Sequence, residues 1–404
     1  MIKRMLPLFL LLTLTACAVV PTVEELSPIP EETLIQQEPP VQESEPTPPE
    51  PTVATLAVCG DIMSHMPITN DAWVEDLQQY DYTRRFSDAI PYISEADYAV
   101  GNFETTMAGT APSGYPNFCA PDALAANLAD AGFDMVLTAN NHCMDKGISG
   151  LRRTLDVLDE AGVAHVGTYR TAEDERIHVA DVGGISVAFL GYTYGTNGIP
   201  VPTDDAYAVS LFNTDYMTTL STPDTETILA DLAAAQALET DLIAVMIHWG
   251  LEYKTVENAY QQELADLFIE NGADIILGGH SHVPQPMEMR TVTTQSGEER
   301  TGFVCYSLGN FISSQYYEFT DTTSVLTVEL TRDNVTGESM VSGYRYDPFF
   351  MWNDGDDPER YHLLDIHKHL ADETISDDLR SKLDAALANC HEIWGEEYDA
   401  GAAE

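Results

Sequence analysis

Five short groups of polar residues along the chain combine side chains that bind metal ions or transfer protons. They are Asp61 with His65, Glu104, Asn141 with His142, His248, and His280 with His282. Carboxylate and amide oxygens together with imidazoles are the ligands that divalent ions such as manganese, zinc or iron accept. A lone histidine after a strand is usually a hydrogen-bonded structural residue, whereas five such groups in succession favour a metal centre.

The polar groups follow apolar runs that are typical of buried β-strands. Predicted strands cover residues 55–59, 98–103, 135–138, 185–192, 242–247, 275–277 and 303–307. Candidate helices lie between them, and those at 121–131 and 148–160 have Gly132 and Gly162 just past their ends, as helices commonly do. This alternation predicts an α/β layered fold, in which loops beyond the carboxyl ends of the strands bring distant side chains together.

The pattern changes in the C-terminal part of the chain. Strand-like alternation at 324–330 and 342–346 predicts a hairpin added to a sheet edge, and a helix is predicted at about 374–390. We therefore predict a globular domain at 53–313 that is completed by the strands and helix of residues 314–404.

The N-terminal segment 1–17 is typical of a bacterial lipoprotein signal peptide. Two basic residues precede an apolar run at 5–14, which is too short to span a bilayer as a mature helix. The residues before Cys17 resemble a lipobox, in which the cysteine is acylated; the alternative is an ordinary secretory signal with cleavage nearby. Acylation would anchor the protein, so we predict an extracytoplasmic protein that is held on the cell membrane by lipid on Cys17.

Residues 18–52 have the composition of a tether. They contain no glycine, aromatic or basic residue and are rich in proline and glutamate. Such a segment cannot bury an apolar core, and proline-rich, like-charged chains favour extended conformations. At about 3.1 Å per residue it would reach on the order of 100 Å. We predict that it is disordered and holds the domain away from the membrane.

The net charge of the chain is strongly negative, since 66 acidic residues oppose 18 basic ones for a formal charge of -48. This excludes a protein that binds nucleic-acid backbones, because that affinity comes mostly from lysine and arginine. Two interpretations of the acidity remain open, a solvated surface and a surface that binds cations.

The most specific stretches of the sequence surround the polar groups. They are Thr138-Ala139-Asn140-Asn141-His142 with Asp145-Lys146-Gly147, His248-Trp249-Gly250-Leu251-Glu252-Tyr253, Gly279-His280-Ser281-His282 and Tyr306-Ser307-Leu308-Gly309-Asn310-Phe311. Through them the chain, from about 55 to 310, resembles the poly-gamma-glutamate capsule synthesis (CapA) family, a branch of the calcineurin-like metallophosphoesterase superfamily. The resemblance implies an α/β fold, a four-layer α/β/β/α sandwich of the metallo-dependent phosphatase type with its site at the sheet edges.

The resemblance also implies two divalent metal ions, of manganese, zinc or iron. The ligands would be Asp61, His65, Glu104 and His282 for the first ion and Asn141, His248 and His280 for the second, with Glu104 bridging both. Such a pair activates water near neutral pH and neutralises phosphoryl oxygens. His142 matches the position of a histidine that protonates the leaving group, and Asp145 would orient it.

Four further residues are candidates for contacts with a substrate. They are Trp249, Glu252, Tyr253 and Asn310. Packing in the core or in a turn explains Trp249 and Tyr253 equally well.

The sequence departs from the phosphoesterase pattern at several positions. His65 lies four residues after Asp61 rather than in an Asp-x-His triplet, and Glu104 stands where a bridging aspartate is usual. Cys119 lies in a segment where many relatives carry arginine. Cys119 and Cys143 either form a disulfide near the site or are two small buried residues.

Three functions fit these features. The first is an assembly factor for an anionic surface polymer of the poly-gamma-glutamate type, acting beside a membrane-bound polymer synthase. The second is a general extracytoplasmic metallohydrolase that cleaves a phosphoester or an amide, and the third is a non-catalytic binding module. A charge of -48 repels a polyglutamate chain, which favours a transient catalytic or guiding contact over extended binding. A site that has lost metal has no physical need to keep the set His248, His280, His282, Asn141 and Glu104 together, which disfavours the third function. We therefore expect the first function, with metal-dependent hydrolysis as its chemistry.

Overall fold

The structure, a computed structural model, describes residues 49–355 and 360–403. These residues form two large β-sheets with helices on their outer faces and one small two-stranded sheet. The strands are β1 (Thr52–Ile62), β2 (Trp73–Val74), β3 (Gln79–Tyr80), β4 (Tyr98–Phe103), β5 (Met135–Leu137), β6 (Ala164–Val166), β7 (His178–Val182), β8 (Ile185–Thr193), β9 (Leu242–His248), β10 (Ile275–Gly279), β11 (Pro284–Thr293), β12 (Glu299–Leu308), β13 (Asn310–Ile312), β14 (Thr322–Arg332), β15 (Ser339–Asn353) and β16 (Tyr361–Asp365). The seven strands predicted between residues 55 and 307 are all confirmed by this set.

Eight α-helices and four short 3-10 helices connect the strands in the described residues. The α-helices are α1 (Met66–Asp71), α2 (Ile90–Ser94), α3 (Ala123–Ala131), α4 (Gly147–Ala161), α5 (Thr225–Gln236), α6 (Ala259–Glu270), α7 (Ile366–Leu370) and α8 (Asp377–Trp394). The 3-10 helices are Thr83–Arg85, Thr203–Ala208, Glu396–Tyr398 and Ala400–Ala403. The predicted helices at 121–131 and 148–160 correspond to α3 and α4, which end at Gly132 and Gly162 in the left-handed conformation.

The strand order determines which strand ends meet. The first sheet runs β16-β15-β14-β1-β4-β5-β6, with β13 beside β1, and the second runs β11-β12-β10-β9-β8-β7. In the first sheet β1, β4, β5 and β6 are parallel, and in the second β8, β9, β10 and β12 are parallel. The carboxyl ends of the central strands of each sheet therefore lie at one edge.

Three apolar clusters define the layers. Successive residues of β1 point to opposite faces of the first sheet. Leu56 belongs to a cluster that contains residues of both sheets, and Ala57 belongs to one that contains residues of α3 and α4. A third cluster packs Leu190 of β8 against α5 and α6. The order of layers is helix, sheet, sheet, helix, which confirms the predicted four-layer α/β/β/α sandwich.

The C-terminal elements extend the first sheet. The predicted hairpin at 324–330 and 342–346 lies within β14 and β15, and β16 continues the sheet beyond β15. The predicted terminal helix is α8, whose first turn is capped by Ser376, since its side chain accepts a hydrogen bond from the backbone N–H of Leu379 at 3.1 Å.

The predicted signal peptide, and all but the last residues of the predicted tether, lie outside the described residues. Strand β1 begins at Thr52, the last residue assigned to the tether. None of the helices in the described residues is both long and apolar enough to cross a membrane. Cys119 and Cys143 are buried free thiols, so the structure agrees with two small buried residues and not with a disulfide.

Candidate metal centre

The predicted ligands converge at the strand ends of both sheets. Asp61 lies near the end of β1, Glu104 follows β4, and His248 ends β9. His280 and His282 follow β10, with Asn141 and His142 beyond β5. Asp61, Glu104 and His248 have no exposed surface, and His280 and His282 are 4% and 2% exposed. Side chains separated by more than 200 positions in the chain thus form one buried polar cluster.

Glu104 stands at the centre of this cluster without a hydrogen-bond partner for either carboxylate oxygen. Its Oε1 lies 3.6 Å from His248 Nε2, and its Oε2 lies 3.9 Å from His282 Nδ1. Burial, and then the negative charge of Asp61, raises the pKa of Glu104 well above its ordinary value. A buried carboxylate without compensation is costly, so this position requires either a proton or a cation.

Glu104 belongs to two groups of potential ligand atoms, in each of which the atoms lie within 4.8 Å of one another. One group contains Asp61, Glu104 and His248, and the other contains Glu104, His280 and His282. This division differs from the expected one, which assigned His282 to the group of Asp61 and placed His248 with His280. The expected neighbours are nevertheless close, because His282 Nδ1 lies 3.2 Å from Asp61 Oδ2. Glu104 is shared in both divisions.

The unpaired atoms of the cluster fit a divalent cation. The buried atoms without a hydrogen-bond partner here are Asn102 Oδ1, both oxygens of Glu104, His280 Nδ1 and His282 Nδ1. Burial, and then neighbouring histidines, lowers the pKa of His248 and of His280 well below the ordinary value, so both imidazoles are neutral and can coordinate a metal. Carboxylate oxygens, an amide oxygen and neutral imidazoles are one compatible donor set.

Asn102 is a member of the cluster to which the sequence analysis assigned no role. Its Nδ2 donates to Asp61 Oδ1 at 2.7 Å and lies 2.9 Å from His248 Nδ1. It is the register partner of Asp61 in the parallel pair of β1 and β4. The available signal was its spacing of two from Glu104, since residues i and i+2 of a strand share a face. Asn102 ties a ligand of the first sheet to one of the second.

The backbone of the loop after β10 is strained where it approaches Asp61. His280 and His282 have φ values of 97° and 61°, which L-residues rarely adopt. The N–H of His280 points to Asp61 Oδ2 at 3.2 Å. Gly279 permits this approach, because a Cβ there would lie 2.6 Å from Asp61 Oδ1. The loop conformation thus positions two imidazoles against one carboxylate.

Asn141 and His142 border an open cleft beside the cluster. Asn141 Oδ1 lies 2.9 Å from His248 Nε2, which connects the cleft to the buried ligands. The cleft has a volume of about 600 Å³, and Tyr194, Asn197 and Glu252 also line it. The cleft thus borders Asn141, which contacts the buried His248.

His142 has the orientation predicted for it. Its Nδ1 lies 2.8 Å from Asp145 Oδ2, and the same oxygen accepts the backbone N–H of Phe118 at 2.6 Å. The edge of the Phe118 ring contacts the imidazole at a centroid distance of 4.6 Å. Asn197 Nδ2 lies 3.4 Å from His142 Nε2 on the cleft side. Asp145 and Phe118 hold the ring so that Nε2 faces the cleft.

His65 stands apart from both ligand groups in the described residues. Its Nδ1 lies 3.5 Å from Ser313 Oγ and from the backbone nitrogen of Ser314. Burial, and then His282 and His142, lowers the pKa of His65 to about 3, so its ring is neutral. His65 therefore lies near the predicted ligands of the first ion but belongs to neither group of potential ligand atoms.

The structure places two of the four candidate substrate contacts away from solvent. Trp249 is fully buried, donates from Nε1 to the carbonyl of Tyr306 at 3.0 Å and stacks on the Tyr306 ring. Asn310 is also buried, and its Nδ2 donates to Gln315 Oε1 at 2.9 Å and to the carbonyl of Thr320 at 3.1 Å. Neither side chain lines the cleft.

The other two predicted contacts lie nearer to solvent, one of them in the cleft. Glu252 lines it directly. Tyr253 is 37% exposed, and its ring centroid lies 5.9 Å from that of His282. The polar loop after β9 thus contributes a carboxylate and an aromatic ring to the border of the site.

Comparison with known proteins identifies the family of the chain. The chain is 28% identical over 292 residues to a capsule biosynthesis protein CapA of Bacillus anthracis, covering 70% of this chain and 65% of that protein's length. It is 28% identical over 306 residues to a PGA biosynthesis protein CapA of Bacillus subtilis, covering 72% and 71%. A phosphatase structure from Mycoplasma pneumoniae, 13% identical, aligns with a TM-score of 0.41 over 74% of this chain and 95% of that one, and at this score it does not inform the chemistry. The model of the bacterial capsule synthesis protein family PGA_cap matches residues 55–315. The chain belongs to this family, as its resemblance to CapA proteins predicts.

Proposed function

We propose that this chain is a metal-dependent hydrolase that cleaves a phosphoester during the synthesis of an anionic surface polymer of the poly-gamma-glutamate type. The observation that carries the proposal is the buried Glu104, whose two unpaired oxygens face the imidazoles of His248 and His282. The names of the two Bacillus relatives, capsule and PGA biosynthesis proteins, support the part that concerns the polymer.

The two groups of potential ligand atoms, which share Glu104, support a proposal of two divalent ions. Asp61 and His248 would hold one, His280 and His282 the other, and Asn141 would contribute from the cleft side. Manganese, zinc and iron all accept this donor set. When bound, the ions supply Lewis-acid chemistry, which neutralises charge on phosphoryl oxygens and activates water.

The cleft residues would position the substrate and move a proton. His142 presents Nε2 to the cleft while Asp145 holds Nδ1, so a proton carried on Nε2 is directed at the leaving group. Asn197 and Asn141 present amide groups to the same space and can hydrogen-bond a substrate oxygen. The complete burial of Glu104 keeps bulk water from the ligand side of the cluster.

We further propose that the protein works outside the cytoplasm, anchored by lipid on Cys17 beside a membrane-bound polymer synthase. The lipobox and the proline-rich segment 18–52 support this location. Cys17→Ser should move the protein from the membrane fraction to the soluble fraction or block its maturation. An unmodified mature N-terminus at another position, found by mass spectrometry, would contradict the anchor.

A substrate screen tests the hydrolase directly. The purified chain, incubated separately with manganese, zinc or iron, is offered p-nitrophenyl phosphate, bis(p-nitrophenyl) phosphate and γ-glutamyl-p-nitroanilide. We expect metal-dependent cleavage of a phosphoester and retention of the anilide. Cleavage of the anilide alone would make the protein an amide hydrolase, and no cleavage of any substrate would favour a binding module.

A further inference from the structure

Four tyrosines with exposed rings form a rim beside the candidate metal centre. Tyr115, Tyr253, Tyr316 and Tyr317 are 79%, 37%, 86% and 49% exposed. Tyr253 and Tyr317 lie 4.6 Å apart between ring centroids, and Tyr316 stacks on Tyr317 at 5.0 Å. Single exposed apolar side chains are common on protein surfaces, whereas exposed apolar residues that cluster mark binding surfaces. We call these four residues the tyrosine rim.

The rim is held in place by the ligand loop. Tyr253 has a φ of 61°, a conformation that costs free energy for an aromatic residue. Its backbone N–H donates to the carbonyl of Ser281 at 2.8 Å, between the ligands His280 and His282. Gln315 Nε2 donates to its hydroxyl at 3.3 Å. Tyr253 is thus strained and hydrogen-bonded to the ligand loop. Its ring would lie beside a phosphoester bound at the ligand cluster.

The electrostatic environment of the rim is negative. The rim segments carry Glu252 and Glu318 against the single cation Lys254. After burial, the charge of Glu252 is the next cause that raises the pKa of Tyr253, so this carboxylate acts on the rim directly. The whole chain adds a formal charge of -48. An anionic ligand is repelled from this surface, whereas a cation is attracted.

The rim rings have no cation of the protein over them. In the described part of the chain, three cations lie over aromatic rings, and those rings are Tyr169, Tyr361 and Trp352. Tyr316 and Tyr317 cover part of each other where they stack, and the remaining surface, 86% of Tyr316 and 49% of Tyr317, is exposed to a ligand. Aromatic faces next to a carboxylate are the established means of binding an organic ammonium group.

We propose that the tyrosine rim binds an ammonium-bearing group of the substrate, with Glu252 as the balancing charge. A zwitterionic phosphoester would place its phosphoryl group at the ligand cluster and its ammonium group over the rim, where the ring of Tyr253 lies 5.9 Å from that of His282. The claim that the ammonium group is part of the substrate rests on the proposed hydrolase function. The claim that the rim binds an ammonium group is independent of that function.

A pair of ligands with the same shape separates charge from packing. Choline and 3,3-dimethylbutan-1-ol differ by nitrogen in place of carbon, and neither carries a phosphate that would report on the metal centre. Ligand-observed NMR titration of the intact chain at fixed ionic strength should show tighter binding of choline. The expected preference is about 2-fold to 5-fold for each ring engaged at an exposed site. Equal affinity for the two ligands would overturn the proposal.

Matched variants assign the preference to the rim. Tyr317→Leu should reduce the preference for choline towards unity, whereas Tyr317→Phe, which keeps the ring, should retain it. Glu252→Gln should also reduce it. If Tyr317→Leu weakens both ligands equally, the rim is an aromatic platform that selects by shape, as for a sugar ring, and the ammonium proposal is wrong.

Metal content and hydrolysis of bis(p-nitrophenyl) phosphate are measured in the same preparations. A chain that prefers choline but binds no metal would contradict the hydrolase and leave the rim proposal intact. A chain that binds metal and cleaves the diester but does not prefer choline would support the hydrolase and contradict the rim proposal. For the substrate claim, KM for a p-nitrophenyl ester of phosphocholine should be lower than for its 3,3-dimethylbutyl analogue, and Tyr317→Leu should remove the difference. The same KM for both esters would contradict it.

Discussion

Two buried carboxylates of this chain each stand between two histidines, and only one of them has its hydrogen bonds satisfied. Asp399 accepts from His367 Nε2 at 2.8 and 2.9 Å and from His391 Nε2 at 2.8 Å, and the N–H of Gly401 donates to it at 3.0 Å. Glu104 has histidine nitrogens at 3.6 and 3.9 Å, which are too far for hydrogen bonds, and no other donor. The same residue types thus make a closed structural cluster in one region and an open one in the other.

The difference follows from how the imidazoles are placed. The side chains of His367 and His391 are 32% and 25% exposed, so water can share in solvating a charge on either ring. The side chains of His248 and His282 are 0% and 2% exposed. His248 pairs with Asn102 and Asn141, each at 2.9 Å, and not with Glu104, while His282 Nδ1 has no hydrogen-bond partner. A metal centre is therefore indicated by buried nitrogen and oxygen atoms that lack a hydrogen-bond partner, and not by the number of histidines and acidic residues.

The comparison is tested most strongly by removing one imidazole from each region. His248→Ala and His280→Ala should each lower metal affinity by about 100-fold or more, because loss of even an outer partner of a ligand costs about 10–100-fold. His391→Ala, the matched control, should leave metal content unchanged. Metal analysis after gel filtration measures all three, and equal loss of metal in the control would break the distinction.

His142 should separate catalysis from metal binding within the open cluster. Since it lies on the cleft side and contacts Asp145, His142→Ala should lower turnover of the cleaved phosphoester by about 10²–10⁴-fold while metal is retained. Asp145→Asn should cause a smaller loss, because it only orients the ring. If His142→Ala loses metal as fully as His280→Ala does, His142 is a ligand instead.

The pKa of Asp347 tests the electrostatics next to the hydrogen-bonded cluster of Asp399, His367 and His391. Burial, followed by the charges of Asp365 and Asp399, raises its pKa from 3.8 to about 6 in the folded protein. Between these values the folded state binds more protons than the unfolded state, so this carboxyl destabilises the fold as the pH rises towards 7 and is neutral in effect below about 4. Asp347→Asn should therefore raise the free energy of unfolding by up to about 2–3 kcal/mol at pH 7. Urea unfolding at pH 4 and 7 measures the difference, and an equal change at both values would contradict the shift.

The smallest effect is expected for the closed cluster itself. His391→Ala removes one of the hydrogen bonds to Asp399 and should lower the free energy of unfolding by about 1–3 kcal/mol. Unfolding in urea measures this cost. A cost that appears only when divalent metal is present would mean that the cluster binds metal after all.

The strands and most ligands of the site could be predicted from the sequence. Alternation and apolar runs identify β1, β4, β9 and β10, and polar residues directly after such strands must meet at the sheet edge. This is why Glu104, His248 and His280 could be assigned to one site before their distances were known. The local sequence pattern is enough to assign a ligand when that residue directly follows a predicted strand.

The remaining features depend on contacts that no local pattern encodes. The role of Asn102 depends on its register with Asp61 across two strands. Trp249 follows a polar histidine, yet its indole turns into the second sheet's helix layer. The tyrosine rim joins the loop after β9 to the segment after β13. Asp399, the partner of His391, lies between the 3-10 helices Glu396–Tyr398 and Ala400–Ala403. These placements are set by tertiary packing.

The central claim is that the cluster around Glu104 is completed by metal. The measurement that tests it most directly is the metal content of the purified chain after incubation with manganese, zinc or iron and removal of free ion, compared with Glu104→Gln under the same conditions. The account predicts about two ions per wild-type chain and a large loss in Glu104→Gln, because the shared carboxylate serves both positions. A wild-type chain that stays free of metal in all three solutions would contradict it.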